Sequence, residues 1–101
     1  MARKMTLPGP QKGPWQVTYE SGRNVVVAQN SWTTVMTHPS GWQMVYDEAD
    51  RAAVLLTPDE ETVLHVELPP EEKKDVLDFL IGVAQDWIAV NARARGLPAL
   101  D

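Results

Sequence analysis

From Trp15 to Leu68 one arrangement recurs: a short run of apolar and β-branched residues, a turn, then another such run. "WQVTYE" and "NVVVAQ" flank "SGR", and "SWTTVMTH" and "WQMVY" flank "PSG"; "RAAVLLT" follows the acidic turn "DEAD", and "TVLHVEL" follows "PDEE". Turns this short can join only antiparallel neighbours, because a parallel crossover needs a dozen or more residues. The pattern predicts a meander of about five strands.

After Leu68 the hydrophobic period changes from two to 3.6. Pro69 and Pro70 precede Glu71 and Glu72, which suits a helix start, where amide hydrogens are unpaired and the dipole is positive. A helix is expected from about Pro70 to Arg95, with Arg93 and Arg95 in its last turn. The fold class is therefore α+β, an antiparallel β-meander of about five strands with one long C-terminal α-helix packed on one face. Residues 1–14, with Pro8, Gly9, Pro10, Gly13 and Pro14, read as a flexible basic arm without a regular element. Residues 15–95 read as the single domain, and 96–101, with Gly96 and Pro98, as a short tail.

The Pro39-Ser40-Gly41 turn fixes a register. Proline suits the first position of a type I turn, and glycine the left-handed position that closes a three-residue loop. Thr37 then faces Gln43, Met36 faces Met44, Val35 faces Val45 and Thr34 faces Tyr46. Turning through "DEAD" pairs Tyr46 with Arg51 and Met44 with Ala53; turning through "PDEE" pairs Leu55 with Leu64 and Ala53 with Val66. The core face then carries Trp32, Met36, Trp42, Met44, Ala53, Leu55, Leu64, Val66 and Leu68, with Trp87 of the helix against it. The outer face carries Thr33, Gln43, His65 and Glu67, but also Val35, Val45, Val54, Leu56 and Val63. So many aliphatic residues on neighbouring strands form a candidate contact patch.

The helix also has an apolar surplus. Asp75, Asp78, Gly82, Gln85, Asp86, Ala89 and Arg93 share one side, leaving an apolar arc of about 200°, where helix-on-sheet packing needs only about 100°. A second subunit is the economical cover for the surplus near Phe79, Ile81 and Val83, so a homodimer is expected.

Little in the chain suits catalysis. His65 has Glu67 two residues on, the spacing of a same-face His-carboxylate pair, but an exposed strand histidine beside a surface acid is the plainer reading. His38 is expected to cap the edge of the aromatic cluster. "DEAD" and "PDEE" lack the spaced oxygens and glycine of a calcium loop, and there is no cysteine. No enzyme, cofactor or metal site is expected.

Charge narrows the partners. Residues 1–46 hold Arg3, Lys4, Lys12 and Arg23 against Glu20, net +3, whereas residues 47–78 hold eleven acids against Arg51, Lys73 and Lys74, net -8. An acidic middle repels phosphate and anionic lipid. The element order resembles the strand-strand-strand-strand-helix unit of Whirly-type single-strand binders, which implies an alternative role in binding single-stranded nucleic acid through the basic arm. That role needs exposed aromatics, and the tryptophans are assigned to the core. No leader or membrane span is read in the sequence. The expectation is a small acidic cytoplasmic protein of adaptor or inhibitor type that binds an unidentified protein partner.

Overall fold

Turn chemistry and strand alternation together set the architecture. The computed structural model describes residues 5–24, 29–48, 50–68 and 76–100, without the side chains of residues 5, 22–24 and 29–32. Six strands form one antiparallel sheet in the order β1-β2-β3-β4-β5-β6. They are β1 (Met5–Lys12), β2 (Trp15–Asn24), β3 (Gln29–Thr37), β4 (Gln43–Asp47), β5 (Ala52–Leu56) and β6 (Thr62–Glu67). The helix α1 (Val76–Asn91) follows, then a 3-10 turn, Arg93–Arg95. The α+β class, the meander and the C-terminal helix match the sequence reading, with one strand more.

The additional strand is β1, which corrects the expectation that the first fourteen residues build no regular element. It pairs with β2 through Thr6–Glu20, Leu7–Tyr19 and Pro8–Thr18, and resumes at Gln11–Gln16 after a bulge. Proline is admissible because β1 is an edge strand, where a missing N–H breaks no central ladder. Gly9 lies so close to β2 that a Cβ there would stand 2.7 Å from Cγ1 of Val17. Lys12 Nζ reaches Asp78 Oδ1 at 3.3 Å and ties the strand to the helix.

"SGR" is a second correction. It is not a turn but lies within β2, with Ser21 opposite Trp32, Gly22 opposite Ser31 and Arg23 opposite Asn30. Continuing the ladder pairs backbone groups that a turn at Ser21 would leave open. The strand runs to Asn24, opposite Gln29; residues 25–28 lie outside the described residues. The expected helix start near Pro70 also lies outside them.

The Pro-Ser-Gly register is as the sequence dictates: Thr37–Gln43, Met36–Met44, Val35–Val45 and Thr34–Tyr46. His38 N–H donates to Trp42 O at 2.8 Å and Gly41 N–H to His38 O at 2.9 Å, with Gly41 at φ +104°. Pro58-Asp59-Glu60 repeats this turn. Thr57 N–H donates to Glu61 O at 2.9 Å and Glu60 N–H to Thr57 O at 2.8 Å, with Glu60 in the glycine position at φ +66°. A register shift then leaves Val63 as an additional residue between Leu56–Thr62 and Leu55–Leu64. The expected pairs Leu55–Leu64 and Ala53–Val66 are therefore present, reached by a shorter turn and a bulge. The acidic turn differs from expectation: Tyr46 pairs with Ala53 and Met44 with Leu55. Arg51, at φ +52°, belongs to the turn. The slip of two residues keeps every side chain on its face.

The core lies between the inner sheet face and α1. Trp15, Met36, Trp42, Met44, Leu55, Leu80 and Ala84 are wholly buried, and Val17, Ala53, Ile88 and Ala92 nearly so. Leu64, Val66 and Leu68 pack on the margin of this cluster, half-buried. Trp32 shares strand parity with buried Met36 and pairs with Ser21, while its side chain lies outside the described residues. At the helix end Gly96 N–H donates to Arg93 O and Leu97 N–H to Ala92 O, the paired bonds of a Schellman motif with Gly96 left-handed at φ +68°. The reversal brings Leu97 and Leu100 against the core. Trp42 Nε1–H donates to Pro98 O at 2.8 Å, Trp42 meets Trp87 edge-on at 6.1 Å, and the Arg95 guanidinium lies 5.1 Å from the Trp87 ring centre.

Candidate interaction surfaces

Strand pairing arranges the outer face of the sheet in lateral rows. The middle row reads Thr18, Val35, Val45, Val54 and His65 across β2 to β6. On the Pro-Ser-Gly side lies a row of Gln16, Thr37, Gln43, Leu56 and Thr62, and on the other a row of Glu20, Thr33, Asp47, Ala52 and Glu67. Val35, Val45, Val54 and Leu56 are each partly exposed on the face turned away from α1. β-branched residues opposite one another stabilise neighbouring strands, so the row supports the sheet whether or not anything covers it. Three carboxylates close one side of it, and no lysine or arginine stands in any of the three rows.

Two residues of the expected contact surfaces lie elsewhere. Val63 is the bulge residue and packs against the core cluster, because an additional residue in the strand breaks the alternation that would have turned it outward. Ile81 is inside, 8% exposed. Leu80, Ile81, Ala84 and Ile88 of the helix belong to the core cluster, and the returning Leu97 and Leu100 pack against the same cluster, so part of the apolar surplus is satisfied within one chain. Val83 is half-buried against the same cluster. Phe79 is 37% exposed and Val90, which the sequence reading did not single out for contact, 76%.

The histidines are far apart in role. His38 is nearly buried and stands edge-on to Trp15, with ring centres 5.2 Å apart. Its Nδ1 accepts the Ser40 N–H at 3.1 Å and lies 2.8 Å from Ser40 Oγ. Thr57 Oγ1 does the same in the twin turn, accepting the N–H groups of Asp59 and Glu61. His38 is thus a turn organiser as well as a cap on the aromatic cluster. His65 and Glu67 are exposed on β6, on one face.

A groove of about 1070 Å³ runs along the end of α1, floored by Ile88, Ala92, Leu97 and Leu100 with His38 and Arg93 on its walls. Among the described residues no three His, Asp or Glu gather to hold a metal ion, and no helix is long and apolar enough to cross a membrane. Trp15 and Trp42, wholly buried, offer no stacking platform. Compared with protein-family models, curated proteins and solved structures, the chain matches none.

Proposed function

We propose that the protein is a small, acidic, non-enzymatic interaction module that works in the cytoplasm as a homodimer and presents the open face of its sheet to a protein partner. One observation carries the reading: three register-aligned valines, Val35, Val45 and Val54, with Leu56 beside them, stay partly exposed on the face that no other element of the described chain covers. A partly dry stripe with a carboxylate border fits a partner that brings apolar side chains and a basic rim. An adaptor or inhibitor would use such a face.

The test is capture from native-host lysate with wild type beside Val45→Asp, followed by pairwise binding of the purified candidate. A partner retained by wild type and lost with a folded Val45→Asp supports the reading. Equal retention by both moves the contact elsewhere. A labelled single-stranded oligonucleotide at low salt is the parallel probe, and tight, salt-sensitive binding would favour the nucleic-acid role instead.

A further inference from the structure

The two edges of the sheet are unlike. β1 carries Pro8 and Pro10, which have no N–H to offer, and a bulge between Pro8 and Gln11, devices that refuse a further strand. β6, "TVLHVE", has no proline, glycine or lysine, and no strand lies beyond it among the described residues. Which of its backbone groups point outward follows from one bond: Leu68 N–H donates to Arg51 O at 2.8 Å. Bonded and non-bonded pairs alternate along an antiparallel ladder. Ala53–Val66 is therefore bonded inward, while Ala52–Glu67 and Val54–His65 turn their β6 N–H and C=O groups to the open side. His65 and Glu67 supply the edge.

We infer that this edge pairs antiparallel with β6 of a second copy of the chain, across a two-fold axis at Val66. The inference rests on the homodimer reading above and names its seam. Only outward-facing residues can bond across the seam, which leaves two compact registers. An axis at His65 sets His65 against His65 and Glu67 against Val63. An axis at Val66 sets His65 of each copy against Glu67 of the other, so each imidazole, a hydrogen-bond donor, meets a carboxylate acceptor, twice by symmetry. On the inner face the same register brings the two Val66 side chains together and places Leu64 beside Leu68 of the other copy. These three residues are half-buried in one chain, so the core continues across the seam. With β1 blocked, the assembly closes at two copies instead of growing into a filament.

Sedimentation equilibrium of the full chain over a dilution series tests this. Wild type dimerises. His65→Pro removes an N–H that the β5 ladder does not use, so the chain keeps its fold while its association weakens by roughly a hundredfold. His65→Glu sets like charges together at two places and weakens association roughly tenfold; adding Glu67→Lys restores it. A His65→Pro chain that dimerises like wild type overturns the seam and leaves the homodimer standing. A double variant as weak as His65→Glu overturns the register, and a wild type that is monomeric at every concentration overturns dimer and seam together.

Discussion

Glu60 occupies a backbone conformation that suits glycine. Its φ of +66° costs an L-residue with a side chain about 1 kcal/mol, whereas Gly41 fills the equivalent place in the twin turn. Glu60→Gly should stabilise the fold by about 0.5–1 kcal/mol, read as a higher urea midpoint at unchanged slope. Gly41→Ala should do the reverse by about 2 kcal/mol or more, since the new Cβ would stand 2.9 Å from Pro58 Cβ in a strained backbone. The two large buried indoles also differ. Trp42 donates to Pro98 O, while the buried Trp15 Nε1–H has no acceptor among the described residues. Phenylalanine at position 42 should therefore cost about 1 kcal/mol more than at position 15 in matched urea titrations. The Pro-Ser-Gly turn was legible because glycine advertises its conformation. Glu60 sends no such signal, so the second turn could be read only as a longer loop.

At the scale of elements, legibility followed side-chain alternation. The pairings from Thr33–Asp47 through Leu55–Leu64 keep the expected faces, even where the acidic turn is displaced, because a slip of two residues leaves the pattern intact. A bulge does not, and it turns Val63 away from the expected outer face. β1 was hidden because Pro8, Gly9 and Pro10 resemble a linker; what makes them a strand is the edge position and the close approach to Val17, neither visible in local composition. The helix arc was legible but its cover was not, since Leu97 and Leu100 return through the Schellman reversal. Leu97→Ala should cost about 1–2 kcal/mol by loosening that cover. Its companion sign is a red shift in tryptophan emission as Trp42 and Trp87 gain water. Asp78→Asn should cost under about 1 kcal/mol, because the Asp78 side chain is 54% exposed and water screens the pair.

Among the described residues, the sheet has one face dressed by the helix and one left bare. Val45→Asp, in the middle of the bare face, should cost about 1–2 kcal/mol and leave the chain folded, because it breaks two cross-strand valine pairs but its side chain is only partly buried. The same substitution at buried Met44, its neighbour on the dressed face, should abolish folding, and circular dichroism separates the two outcomes. Because each strand pairs only with its neighbours in sequence, the sheet can zip together one hairpin at a time, with small loop-closure costs at each step. The bond from Trp42 to Pro98 spans 56 residues and can close only after the helix has docked. Removing this bond should quicken unfolding while leaving the refolding arm of a chevron nearly unmoved, the signature of a contact formed after the folding barrier. On that expectation the returning tail governs how long the molecule stays folded, not how fast it gets there.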